Sequence, residues 1–218
     1  MRKKRRRQYR PPSLTLPRKG GGNAPSFVAP LIATLICLVP ASPALAHDIE
    51  GAGGFLAGFS HPLLGPDHVI AMVAVGLWGA FLGAPAIWLL PIVFPLVMAG
   101  GGVLGILGMP LPAAETGIAV SAIVLGLMVA LAARPPLWIA AMLVGAFAIF
   151  HGYAHGRELP DDANALAFSA GFVIATGALH LCGIAFGTLS RWPAGRLAVR
   201  GAGGLIALAG LASLSGLA

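Results

Sequence analysis

Six apolar stretches, at about 55–83, 86–109, 113–133, 136–156, 163–190 and 194–217, follow one another with only short polar or proline-containing breaks between them. Each is near or above the ~18 to 20 residues with which a helix crosses a ~30 Å hydrocarbon core. None alternates apolar and polar residues with the period of a barrel strand. Lipid offers no partner for backbone amides, so helix is the form these stretches must take. The pattern predicts an all-α, polytopic membrane helix bundle of six transmembrane helices, forming one domain over residues 47–218.

Residues 1–46 read differently. A basic opening is followed by the apolar run FVAPLIATLICLVP and then by ASPALA, whose Ala44 and Ala46 make an A-x-A site. These are the three parts of a secretory signal peptide. Cleavage there makes His47 the first residue of the mature chain; a retained leader would add a span without altering the rest.

Composition agrees with a membrane protein: 57% of the 218 residues are hydrophobic and 10% charged, with a mean hydropathy of +0.87. The formal charge of +7 would suggest a nucleic-acid partner, but nine of the fourteen Lys and Arg lie between Arg2 and Lys19. Without them the chain is mildly acidic, and no nucleic acid is expected. The remaining basic residues also orient the bundle. If the mature N-terminus is periplasmic and the first span runs inward, Arg134, Arg191, Arg196 and Arg200 fall at cytoplasmic ends, as the positive-inside bias requires. Asp48, Glu50, Glu115, Glu158, Asp161 and Asp162 then fall outside, with Arg157. The expected location is the bacterial inner membrane.

Charged groups inside a span cost about 2.5 to 3.5 kcal/mol on insertion scales and therefore face a partner or a cavity. Two clusters stand out. In the first span, HPLLGPDHVIAM carries His61, Asp67 and His68, with Met72 one turn later. Gly65 and Pro66 should interrupt the helix there, so that Pro66 opens the inward helix and His61 and His68 converge across the break. In the fourth span, FHGYAHGRE carries His151, His155 and Glu158, four and three residues apart, on one face of a helix that reaches Glu158 before Pro160 ends it. Gly152 and Gly156 would let another helix pack beside that face. Glycines 100–102, Gly183 with Gly187, and Gly201 with Gly204 and Gly210 are further expected packing positions, and Pro91 and Pro95 predict kinks in the second span.

Secondary candidates are Glu115 at the external start of the third span, His47 at the new N-terminus, Met72 as a thioether, and His180, about 25 Å into the fifth span with Thr176 one turn away. Imidazole and carboxylate together suit borderline divalent ions such as nickel, cobalt and zinc. The chain's two cysteines, Cys37 and Cys182, make no thiolate cluster of the kind that selects copper(I). Protonation of the same histidines would weaken binding and offers a route for coupling to protons.

The two motifs, H61-x5-D67-H68 and F150-H151-G-Y-A-H155-G-R-E158, resemble the paired signatures of the HupE/UreJ family of bacterial nickel and cobalt permeases. They stand in the same order, on the first and fourth spans after a cleavable leader, and the resemblance extends over nearly the whole mature chain. The departure is Pro66, directly before Asp67. The resemblance implies a secondary transporter, not an enzyme, that carries Ni2+ or Co2+ as substrate, with no permanent cofactor. It assigns metal uptake to His61, Asp67, His68, His151, His155 and Glu158. The partners are then a divalent transition-metal ion and the lipid bilayer, and the chain is open to homo-oligomerisation.

Two other classes compete. A haem-carrying membrane subunit would use histidines from different spans as axial ligands. An intramembrane metallohydrolase would want H-E-x-x-H, whereas Gly152 follows His151 and no glutamate lies between His151 and His155.

Overall fold

The computed structural model describes residues 54–159 and 164–216. The leader, its cleavage site and His47 lie outside the described residues. Among the described residues there are seven α-helices and no strand: α1 (Gly54–Leu64), α2 (Pro66–Leu82), α3 (Ala86–Ile106), α4 (Ala114–Ala130), α5 (Leu137–Glu158), α6 (Ala165–Gly187) and α7 (Pro193–Leu214), with a 3-10 turn at Thr188–Arg191.

Four helices are individually long and apolar enough to cross a membrane, α3, α5, α6 with its 3-10 extension, and α7; the pair α1 and α2, bent by 79°, makes a fifth when taken as one span. Over its described residues the chain is all-helical, with the several apolar helices of a multi-pass membrane protein. The third predicted span is shorter than expected. α4 has 17 residues, about 26 Å at 1.5 Å per residue. Ala113 and Ala132, at φ 57° and 55°, bound it in the left-handed region, and prolines at 110, 112, 135 and 136 prevent extension on either side.

Proline has two different effects. At Gly65–Pro66 the helix breaks, with Gly65 extended at φ −84° and ψ 107° and Pro66 opening α2, where its missing amide has no intrahelical role. Pro91 and Pro95 instead lie inside α3, which continues as one 21-residue helix.

Glycine contacts fix which helices pair and in which sense. α1 and α2 lie along α6: Gly58 is against the backbone of Phe168, and Gly76 is against His180 and Gly183. Residue numbers rise together, so these helices are parallel. α3 and α5 are also parallel, with Gly101 on Ile149 and Gly105 on Tyr153 and Gly156. α4 and α7 are antiparallel, with Gly210 on Ala119 and Gly203 on Ala130. These three pairings are the most extensive in the molecule. Gly152 and Gly156 sit against Met98 and Gly102 of α3, as expected of them. On α7 Gly210 packs as expected, but Gly201 and Gly204 have no heavy atom near where a Cβ would stand, and Gly203 makes the close approach in their place. Likewise Gly100 faces open space while Gly101 and Gly102 pack.

Trp78, Phe94, Leu77, Leu90, Leu125 and Val144 are fully buried where the pairs meet. Trp88, Leu96, Trp138, Leu197 and Leu205 are exposed on the outside, the distribution of a bundle bathed in lipid.

Candidate metal site

The break between α1 and α2 brings the first motif onto the second. Nε2 of His61, in the last turn of α1, donates to Oε2 of Glu158, the last residue of α5, at 3.1 Å. Nδ1 of His155 lies 3.7 Å from the same oxygen. One ligand atom from each of His61, His155 and Glu158 can be chosen so that all lie within 4.8 Å of one another. Two nitrogens bound to one ion at about 2.1 Å each stand no more than about 4.2 Å apart, so a small inward movement suffices to close this triad on a cation.

Just beyond the break, Nδ1 of His68 donates to Oδ1 of Asp67 at 3.0 Å. This leaves Nε2 of His68 as the lone-pair nitrogen, buried and without a hydrogen-bond partner. A carboxylate on one imidazole nitrogen fixes the tautomer and raises the basicity of the other, the usual support of a metal-binding histidine. Asp67 thus pairs with His68 and makes no side-chain cap for α2. Gly65 makes room for the pair, since a Cβ there would lie 2.7 Å from Nδ1 of His68.

The imidazoles form a packed row. Ring centroids are 4.8 Å apart for His61 and His155, 4.2 Å for His68 and His155, 5.2 Å for His68 and His151, and 6.4 Å for His61 and His68. Phe172 of α6 closes one side, 4.3 Å from His155. Both ring nitrogens of His155 and Nδ1 of His151 are buried without hydrogen-bond partners. His61 and Glu158 form the exposed mouth; His68, His155 and His151 lie progressively inside, His151 fully buried. A cavity of about 270 Å3, lined by Ser60, His61, Gly65, Asp67, His68 and Glu158, opens onto this mouth.

All six residues of the two motifs are therefore drawn to one place. The secondary candidates are scattered: Glu115 is exposed in the first turn of α4, Met72 is buried in the apolar core, and His180 lies a level deeper. Sequence reasoning missed Ser121, whose hydroxyl lies 3.0 Å from Nε2 of His151. A serine in the apolar body of α4 was the available signal.

The profile of the family described as HupE / UreJ protein matches residues 35–213. The chain belongs to the HupE/UreJ family. It is also 50% identical, over 178 residues, to Protein HupE of Rhizobium leguminosarum bv. viciae, a match covering 81% of this chain and 93% of that one. No solved structure matches it. The match spans both histidine motifs and every described helix of this family member except the last residue of α7.

Proposed function

We propose that the chain is a secondary permease that imports nickel, with cobalt as its close competitor, from the periplasm across the inner membrane for metalloenzyme maturation. In this reading the leader at 1–46 is removed, α1 and α2 make one broken span and the short α4 completes six. The parallel pairing of α1 and α2 with α6 and of α3 with α5, and the antiparallel pairing of α4 with α7, is the sense that six alternating spans require.

The observation that carries the reading is the convergence of His61, His155 and Glu158, with ligand atoms within 4.8 Å of one another, at the mouth of a row of buried imidazoles with unpartnered nitrogens. Borderline nitrogen donors with one carboxylate fit nickel and cobalt. Glu158 and His61 stand exposed enough to meet a hydrated ion and replace its waters. His155 and His68 then take it inside, Asp67 holding His68 in the tautomer that presents Nε2. A bond set shared among neighbouring imidazoles lets one ligand be exchanged at a time, which a carrier needs and a closed tetrahedral cage prevents. Ring contacts of 4.2 and 5.2 Å within the row speak against a macrocycle inserted between these histidines.

Radioactive nickel uptake into cells lacking their own nickel importers tests the proposal, with cobalt and zinc as unlabelled competitors. Uptake above empty vector, competed best by cobalt and abolished in His155→Ala and Asp67→Ala at equal membrane abundance, is expected. Undiminished accumulation in either variant would overturn it.

A further inference from the structure

One face of α6 carries Phe168, Phe172, Thr176 and His180 at successive four-residue steps, all buried. The first two serve the outer cluster, with Phe168 5.8 Å from His61 and Phe172 4.3 Å from His155 between ring centroids. Thr176 and His180 extend the same face one and two turns deeper. There the stripe changes from aromatic to polar, yet Thr176 Oγ1 and both ring nitrogens of His180 are buried without a hydrogen-bond partner among the described residues. Burying such groups unpaired is costly, and leucine or phenylalanine would fill the same space without that cost.

The ring of Phe94 stands between the two levels, its centroid 5.6 Å from His151 and 5.5 Å from His180. It is mounted on a turn of α3 bounded by Pro91 and Pro95, each of which deletes a helix hydrogen bond. His180 itself is held firmly, because Gly76 of α2 lies directly on its backbone carbonyl. Its position is about 23 Å from the start of α6 and about 10 Å from its end at Gly187, on the side of Arg191.

Resting on the permease reading above, we propose that His180 and Thr176 form an inner ligand station, which receives a borderline divalent cation from the outer histidines past the Phe94 ring before its release to the cytoplasm. An imidazole nitrogen and a hydroxyl oxygen are suitable donors for such an ion. Two protein ligands, with water completing the shell, make a weak site, appropriate to a waypoint.

The test combines uptake of radioactive nickel in cells with equilibrium nickel binding to the purified full chain in lipid nanodiscs, for wild type, His155→Ala, His180→Phe, His180→Cys and the isosteric Thr176→Val. His180→Phe should retain nickel binding within about twofold while uptake falls about tenfold or more, with a smaller loss in Thr176→Val. His180→Cys should become about tenfold more sensitive than wild type to block by cadmium, a thiol-seeking ion, which a merely structural histidine would not cause. Wild-type uptake in both His180→Phe and Thr176→Val, or unchanged cadmium sensitivity in His180→Cys, overturns the inner station and leaves the permease standing. If His180→Phe fails to reach the membrane, Thr176→Val and His180→Cys decide by the same criteria. Absence of uptake in wild type, or undiminished uptake in His155→Ala, instead brings down the permease reading itself.

Discussion

Ser121 fixes the tautomer of His151. Its hydroxyl donates to the carbonyl of Ile118 at 2.6 Å, so its oxygen can only accept from Nε2 of His151, 3.0 Å away. The proton therefore resides on Nε2, and Nδ1 is left as the buried nitrogen with a free lone pair. Ser121→Ala removes this support without enlarging the side chain. Nickel binding to the purified chain should weaken about 10- to 100-fold, the range seen when a metal ligand loses its supporting partner, while the melting temperature changes little. Wild-type affinity in the variant would show that the tautomer is set by something else.

Gly65 stands where any side chain would strike the Asp67–His68 pair. Gly65→Ala should accumulate in the membrane but lose most nickel uptake, because His68 must turn away from Asp67. Infrared or NMR titration of the histidines would detect the broken pair directly, and an unchanged signal together with normal uptake would refute the prediction.

Individual glycines should differ sharply in their tolerance of one methyl group. Gly156→Ala drives a Cβ into the Gly102 backbone and should cost about 1 to 3 kcal/mol. Gly201→Ala meets nothing within 4 Å and should be neutral, or slightly stabilising through the higher helix propensity of alanine. Thermal unfolding in one detergent compares the two; equal melting temperatures would contradict the packing described.

Orientation can be read by cysteine labelling in intact cells. Glu115 and Arg196 are both exposed, in the first turns of α4 and α7. A membrane-impermeant maleimide should label Glu115→Cys and should reach Arg196→Cys only after permeabilisation, each judged against wild type. The opposite pattern would invert the proposed topology.

The features of the fold that were legible in the sequence are those with a backbone cause. Gly65–Pro66 breaks the first span because Gly65 turns extended and Pro66, which lacks an amide, is suited to open a new helix, and His151, His155 and Glu158 share a face because they are four and three apart. Rotation of a helix about its axis was less legible. In lipid both the packed and the exposed sides of a helix are apolar, so nothing in the run around Gly201, Gly203 and Gly204 marks which glycine meets α4. Span length was misjudged at α4 for a related reason: hydropathy continues to Ala133, whereas the helix stops where Ala132 turns left-handed ahead of Pro135. Of the site, the ligand candidates could be listed in advance; Ser121 required knowing that α4 passes beside α5.

The outer triad is divided between two helix groups. His61 belongs to the α1, α2 and α6 group, whereas His155 and Glu158 belong to α3 and α5, and contacts between those groups are fewer than the glycine-lined contacts within each. An ion held by His61 and His155 together is thus a rivet between two plates. If the chain is the permease proposed above, loading stiffens the seam between the two groups, and the strength of the metal bonds sets how readily that seam reopens. Affinity and turnover are then opposed by construction, since a cation gripped too well would lock the plates shut and act as an inhibitor of its own passage.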